Sequence, residues 1–269
     1  MQLRLLCVGD VVGAPGRQVL RQALDTVVPA QHIDCVIVNA ENIAGGSGLT
    51  APLYEKLIRY GTHLITLGDH VYRRRDVFPV LERSDNIVRP ANLPAGAPGK
   101  EFAVWQGASG HKVAVISLLG RRFMKMPVNC PYAAVDRVLA MIPKDVKIIV
   151  VDMHAEVTSE KVAMGWHLDG RVSVVFGTHT HIPTADERVL PNGTAYVTDL
   201  GMTGPYDSVL GRCKHRVLSA MITGVPTPFD VATEDARLCG IIASIDATTG
   251  RASEVERICF RGTAETQAP

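Results

Sequence analysis

The feature that most constrains this chain is a set of apolar runs that each stop at a carboxylate or an imidazole. The runs are near-continuous, as expected for strands that are covered on both faces. In chain order they end at Asp10, at Glu41 and Asn42, at Asp69 and His70, at His154, and at His179 with His181. Because ligand sites in covered sheets lie where strand ends meet at one edge, we expect these side chains to converge.

The order of the elements predicts two sheets flanked by helices. Over roughly the first 84 residues, strand-like runs alternate with segments of helical spacing, which is typical of helices on the faces of a sheet. The second half adds hairpins, with turns near Gly107–Gly110, Asn192–Gly193 and Gly250. A two-sheet sandwich therefore fits better than one open parallel sheet. We predict an α/β fold (α+β in some schemes), a single domain over residues 1–262 and a flexible tail over 263–269.

The composition excludes several classes of protein. A formal net charge of +1 argues against stable binding of duplex nucleic acid, and the short basic clusters at 73–75 and 121–125 are either solvated surface or a local phosphate contact. No Cys-x-x-Cys pair is present, so we expect neither a disulfide framework nor a thiolate zinc site. No apolar stretch approaches the roughly 20 residues that span a bilayer. We therefore expect no membrane association and a cytoplasmic location.

The polar residues at the strand ends are of the types that bind metal ions. In extended backbone, residues two apart point to the same side, so His179 and His181 are expected to converge. Unpaired charges would cost several kcal/mol to bury, and cations remove that cost. Three carboxylates, one carboxamide and three imidazoles are too many for one tetrahedral zinc and suit two ions that share a bridging carboxylate. Such ligands favour iron, manganese or zinc over copper or calcium.

Motifs in matching order from about residue 3 to about residue 260 carry a family resemblance. They are the GD that ends the first strand, NAENIAGGSG, GDH, DMHAEVTSEKVA, GTHTHIPTAD and VTDLGMTGPYDSVLG. Together they resemble the YmdB-type calcineurin-like metallophosphoesterases, which are bacterial phosphodiesterases active on 2′,3′-cyclic nucleotides. The resemblance implies a four-layer αββα sandwich with a dinuclear metal site.

The resemblance also implies a role for each polar residue. One metal would be held by Asp10, Glu41, Asn42 and His181. The other would be held by Glu41, Asp69, His154 and His179, with Glu41 as the bridge. His70 would be the proton donor. Two ions per chain are expected, with iron favoured and manganese, zinc or magnesium as alternatives.

Two positions depart from what related sequences carry. The wider superfamily has Asp-x-His in the first strand, whereas this chain has GDVVG, a difference that the YmdB type shares. The second departure belongs to this chain, in which GDH replaces the usual GNH. Asp69 is thus a carboxylate where the family has a neutral carboxamide. We expect it to bind a metal ion more tightly and to make a bound hydroxide harder to generate.

The predicted activity is hydrolysis of small phosphodiester or nucleotide substrates by a hydroxide that bridges two metal ions. His70 would protonate the departing ribose oxygen. Two alternatives stay open: a phosphomonoesterase, and a metal-containing regulatory protein that binds nucleotides with little turnover. The sequence is also compatible with a homo-oligomer.

Overall fold

The computed structural model describes residues 1–263. Its helices are α1 (Gly13–Ala30), α2 (Ala51–Arg59), α3 (Phe78–Arg83), α4 (Pro131–Met141), α5 (Thr158–Leu168) and α6 (Lys214–Thr223). No helix within residues 1–263 combines the length and apolar character needed to cross a membrane. Of the predicted flexible tail, Thr263 donates its backbone N–H to Gln22 at 3.1 Å. Residues 264–269 lie outside the described part, so the tail and the domain limits stay predictions.

The strands form two separate sheets. They are β1 (Gln2–Val8), β2 (Asp10–Val11), β3 (Cys35–Asn39), β4 (Leu64–Thr66), β5 (Ile87–Val88), β6 (Phe102–Gln106), β7 (Lys112–Leu119), β8 (Ile148–His154), β9 (Val174–Thr178), β10 (Arg188–Val189), β11 (Ala195–Val197), β12 (Met202–Pro205), β13 (Ala236–Asp246) and β14 (Ala252–Arg261).

The first sheet has eight strands in the order β2-β12-β13-β1-β3-β4-β5, with β14 paired to β13. Its β1, β3, β4 and β5 run parallel. The second sheet has six strands in the order β10-β11-β9-β8-β7-β6, and its β7, β8 and β9 are parallel. The three predicted hairpins are confirmed as the antiparallel pairs β6–β7, β10–β11 and β13–β14.

Three apolar clusters show how the layers stack. One cluster lies between the sheets and includes Leu5 and Ile37 of the first sheet with Val150 and Phe176 of the second. A second cluster packs α1 and α2 on the outer face of the first sheet. A third packs α4 and α5 on the outer face of the second sheet. Helices therefore cover both outer faces, and the predicted αββα sandwich is confirmed.

The ends of the parallel strands meet where the two sheets contact each other. Asn39 at the end of β3 donates to Asp152 of β8 at 2.9 Å, and Thr66 at the end of β4 donates to the same carboxylate at 2.6 Å. These hydrogen bonds join the carboxyl ends of strands from different sheets. The loops that follow β1, β3, β4, β8 and β9 therefore open at one common edge of the sandwich.

Candidate metal centre

One group of ligand atoms gathers at this edge from four loops. Glu41, Asp69, His154 and His179 each place a ligand atom within 4.8 Å of the others. His154 Nε2 is central, since it lies 3.3 Å from Asp69 Oδ1, 3.4 Å from Glu41 Oε1 and 3.1 Å from His179 Nδ1. Such a cluster could hold a metal ion, because imidazole and carboxylate donors converge on one small volume.

A second group lies beside the first and consists of Asp10, Asn42 and His181. Asn42 Nδ2 is 3.4 Å from Asp10 Oδ1 and 3.2 Å from His181 Nε2. The same nitrogen donates to Glu41 Oε1 at 3.1 Å, so Glu41 contacts both groups. The amide oxygen of Asn42 faces His70 instead, at 2.7 Å from Nδ1. The amide oxygen of Asn42 would face Asp10 and His181 only after a flip of the side-chain amide.

The two histidines of the GTHTH motif do not converge in the predicted way. Strand β9 ends at Thr178, and His179 and His181 then adopt left-handed backbone with φ of 93° and 65°. The alternation of an extended strand therefore does not place their side chains. The predicted reason for their convergence was wrong, although both rings face the neighbouring ligand groups. Such conformations cost of order 1–3 kcal/mol each in residues other than glycine, and they persist where the surroundings fix them.

Asp199 fixes the turn between these histidines. Its carboxylate accepts from Thr180 Oγ1 at 2.7 Å and from the Gly201 N–H at 2.8 Å. Lys161 of α5, fully buried, places its Nζ 2.5 Å from the same carboxylate. On the other side, the His179 N–H donates to Asp10 Oδ2 at 3.1 Å. The strained turn is thus held by a buried ion pair and by hydrogen bonds.

Each of the three histidines has a partner for the ring nitrogen that points away from the cluster. His154 Nδ1 lies 2.8 Å from Thr178 Oγ1, His179 Nε2 lies 3.2 Å from Glu156, and His181 Nδ1 lies 3.1 Å from the Leu210 carbonyl oxygen. Metal-binding histidines almost always donate this second N–H to a carboxylate, a carbonyl or another acceptor. The arrangement leaves one nitrogen of each ring free to bind a metal ion.

Sequence reasoning missed the residues that orient His154. Thr178 Oγ1 donates to Asp152 at 2.6 Å, so its single proton is used and His154 Nδ1 must donate to it. Asp152 is fully buried and lies two residues before His154 in β8, on the same face of the strand. The Asp-x-His spacing was the signal that could have identified it. Glu156 belongs to the DMHAEVTSEKVA motif, but no role was predicted for it.

Burial and the charge on His154 shift the pKa values of Asp10, His179 and Glu41. Burial raises the pKa of Asp10 to about 6, against the opposing charges of His181 and His154. Burial lowers the pKa of His179 to about 4, and charge on His154 adds to the shift. Burial alone would raise the pKa of Glu41, but the charge and hydrogen bond of His154 hold it well below its usual range. An ionised Glu41 and a neutral His179 are the forms that bind metal ions.

Gly68 provides the space between the ligands. A Cβ at this position would lie 2.3 Å from both Glu41 Oε2 and His154 Nε2. No larger residue fits without displacing a ligand atom. The glycine of the GDH motif therefore belongs to the site as much as the two residues that follow it.

His70 lies at the border of the cluster. Its backbone N–H donates to Glu41 Oε2 at 3.0 Å, and its ring Nδ1 is 3.3 Å from Glu41 Oε1. Burial acts to lower the pKa of His70, but the hydrogen bond and charge of Glu41 outweigh it and raise the pKa. A quarter of the side chain is exposed. His70 is therefore a proton-bearing group within reach of a ligand that approaches from solvent.

The sequence model of YmdB-like proteins matches residues 6–258. The chain belongs to the YmdB-like family. A 2′,3′-cyclic-nucleotide 2′-phosphodiesterase of Bacillus subtilis (strain 168) is 43% identical over 256 residues, which cover 95% of this chain and 96% of the relative.

Two solved structures of similar chains share the fold. A hypothetical protein from Thermus thermophilus superimposes with a TM-score of 0.90 at 38% identity, covering 97% of this chain and all of the other. A novel phosphatase from Mycoplasma pneumoniae gives a TM-score of 0.91 at 32% identity, covering 97% and 94%. These matches confirm the calcineurin-like metallophosphoesterase fold of the YmdB-like chain.

The glycine-rich loop of this YmdB-like chain is a tight turn closed by arginines. Arg74 donates to the carbonyl oxygens of Ser47 and Ala44, at 3.3 and 3.2 Å, and Arg212 donates to that of Gly45 at 3.3 Å. Gly46, with φ of 84°, would place a Cβ 2.6 Å from the Arg212 guanidinium. Within the first basic cluster, Arg74 therefore has a structural role.

Proposed function

We propose that the chain is a metal-dependent phosphodiesterase that hydrolyses small phosphodiesters such as 2′,3′-cyclic nucleotides. The observation that carries this proposal is the pair of ligand groups that Glu41 joins, in which each of the three histidines has a partner for its outer ring nitrogen. The relative from Bacillus subtilis, by its name, acts on this class of substrate. A cytoplasmic location and a soluble nucleotide substrate follow from the same proposal.

The proposed ligand sets follow the two groups. The residues of the first set are Glu41, Asp69, His154 and His179, and those of the second are Asp10, Glu41, Asn42 and His181. Two ions per chain are proposed, with iron favoured and manganese, zinc or magnesium as alternatives. When bound, such ions neutralise charge on the phosphoryl oxygens and acidify water.

His70 would supply the proton to the departing ribose oxygen. In the proposed state, the Asn42 side-chain amide is flipped so that its oxygen faces the other ligands. The Asn42 Nδ2 would then take the place of the oxygen that now lies 2.7 Å from His70 Nδ1, and it would donate to this nitrogen. The proton of a neutral His70 would then be on Nε2, which has no partner among the described residues. A general acid placed in this way contributes about 10²–10⁴-fold to the rate.

A comparison of leaving groups on His70→Ala tests this role. An activated aryl diester, such as bis(p-nitrophenyl) phosphate, needs little protonation and should lose much less rate than 2′,3′-cyclic AMP. His111→Ala is a suitable control, because His111 lies at the far end of β7 from the site. Equal losses on the two substrates would remove His70 from the acid role.

Elemental analysis with turnover assays tests the proposal as a whole. Protein purified without chelator should contain about two metal ions per chain and should hydrolyse 2′,3′-cyclic AMP faster than AMP. A reversed preference would favour the phosphomonoesterase alternative, in keeping with the phosphatase from Mycoplasma pneumoniae. A metal-loaded protein that binds the nucleotide without turnover would favour the regulatory alternative.

A further inference from the structure

A basic loop leaves the second sheet beside the candidate metal centre. We call residues 121–128, RRFMKMPV, the basic loop. It follows β7, whose last residue Leu119 pairs with His154, and the Gly120 N–H donates to the His154 carbonyl oxygen at 2.9 Å. The start of the loop is therefore fixed directly to the strand that carries a proposed ligand.

Both ends of the basic loop are anchored by hydrogen bonds. The Glu160 carboxylate accepts from the backbone N–H groups of Arg121 at 3.0 Å and Arg122 at 3.2 Å. At the other end, the Asn129 N–H donates to the Asn92 carbonyl oxygen at 2.8 Å. Met124 and Met126 pack against the outer core of the first sheet. The basic loop is thus held in place at both of its ends.

The side chains that the loop leaves exposed are three cations, one aromatic ring and Pro127. Phe123 is 87% exposed and has left-handed backbone with φ of 60°. Within residues 1–263, no ion pair involves the side chains of Arg121, Arg122 or Lys125, and the same holds for the neighbouring Arg73. The Phe123 ring is therefore open to contact with a ligand that approaches from solvent.

The four cations line two cavities, one of which also has Asp69 of the candidate metal centre in its wall. The first, of ≈ 350 Å³, is lined by Asp69, Tyr72, Arg73, Lys125, Met126 and Pro127. The second, of ≈ 480 Å³, is lined by Arg121, Arg122, Cys130, Pro131, Tyr132 and Glu160. Because the loop borders both, a chain of phosphates could enter along it and reach Asp69.

We propose that the basic loop and Arg73 form a binding site for single-stranded RNA, so that the preferred substrate is a 2′,3′-cyclic phosphate at the end of an oligonucleotide. This inference rests on the proposed function. Grooves of unpaired cations with an exposed aromatic ring bind single strands, because the cations contact phosphates and the ring stacks on an unpaired base. A duplex offers no free base for such stacking.

An anionic membrane surface is the other kind of partner that cations with an exposed ring can bind. The structure favours RNA, because the cations line a cavity that is continuous with Asp69 of the proposed catalytic centre. A site for lipid would have no reason to share a wall with the metal ligands. Binding to vesicles is therefore an outcome that the test must distinguish.

Kinetics on matched substrates test the proposal. The assay compares kcat/KM for 2′,3′-cyclic AMP with that for a triadenylate ending in the same cyclic phosphate. The trinucleotide should be preferred by about tenfold or more at low salt, and the preference should shrink as salt rises. Phe123→Ala and the double variant Arg121→Ala/Arg122→Ala, whose arginines line the cavity without Asp69, should remove the preference and leave turnover of cyclic AMP unchanged. Lys144→Ala, an exposed cation far from the loop in sequence, is the control.

Binding gives a second readout that does not depend on turnover. Fluorescence anisotropy of a labelled triadenylate with a 3′-phosphate should show binding to the wild-type protein. Phe123→Ala should weaken this binding, and Phe123→Leu should bind with an affinity between those of the wild type and Phe123→Ala. Equal kcat/KM for the two substrates would overturn the inference but leave the proposed function intact. Loss of vesicle binding in the variants, with unchanged RNA kinetics, would also overturn it. A protein that turns over neither substrate would overturn both proposals.

Discussion

Replacement of Lys161 by Met should destabilise the protein more than the loss of any surface ion pair. Lys161 is fully buried, and its partner Asp199 is 2% exposed. The Lys161 Nζ lies 2.5 Å from the Asp199 carboxylate. Methionine preserves the length of the side chain but leaves a carboxylate buried without its cation. Breaking a buried pair from one side costs about 3–5 kcal/mol. At about 2–4 °C per kcal/mol for a chain of this size, Tm should fall by about 6–20 °C.

Differential scanning calorimetry with a matched surface pair checks this reasoning. Lys214 pairs with Asp207 at sites that are about half exposed. Lys214→Met should therefore cost only about 0–1 kcal/mol. The double variant Lys161→Met/Asp199→Asn, which removes both charges, should recover part of the loss. Equal falls in Tm for Lys161→Met and Lys214→Met would refute the argument from burial.

The same variant should weaken the metal centre, because Asp199 also holds Thr180 between His179 and His181. After dialysis against a chelator, Lys161→Met should retain less metal than the wild type, whereas Lys214→Met should match the wild type. Full retention of metal in Lys161→Met would show that the turn is held without the ion pair.

Other predictions concern the site itself. Asp152→Asn, which alters the partner of Thr178, should lower metal affinity by about 10–100-fold in a competition assay with a chelator, and unchanged affinity would contradict the proposed orientation of His154. Gly68→Ala should abolish metal binding while the circular dichroism spectrum stays unchanged, since its Cβ would lie 2.3 Å from two ligand atoms; normal metal content would be inconsistent with this crowding. Manganese added to chelated protein at 100 times Kd should raise the free energy of unfolding by about 2.7 kcal/mol, measured calorimetrically, and an unshifted Tm would argue against a native metal site.

The fold was predictable because its strands are near-continuous apolar runs, a pattern that arises when helices cover both sheets. Helix α6 escaped prediction for the opposite reason. Its Met221 and Ile222 are 74% and 80% exposed, and Val217 is its buried residue, so its apolar positions do not trace a single buried face. The spacing of apolar residues in a sequence identifies a helix only where those residues lie on one buried face of the helix.

The polar residues of the site were predictable from their places at strand ends, but the contacts that orient them were not. His179 and His181 are placed by left-handed backbone, which depends on Asp199 and on Lys161 of a different element. Such tertiary contacts leave no local trace in the sequence around the histidines. Asp152 was also missed, although its place on the same strand face as His154 could have identified it.

The effect of the carboxylate at Asp69 depends on the other residues of the cavity that it lines. The family resemblance leads one to expect a carboxamide at this position. With a carboxamide, the net charge of the proposed metal centre would be one unit more positive than with Asp69. Asp69 removes that unit, and the cavity places Arg73 and Lys125 along the same wall. Since these cations have no partner among the described residues, they offset the added negative charge where a substrate phosphate would enter. The negative charge of Asp69 and the positive charges of Arg73 and Lys125 therefore lie along one cavity wall beside the candidate metal centre.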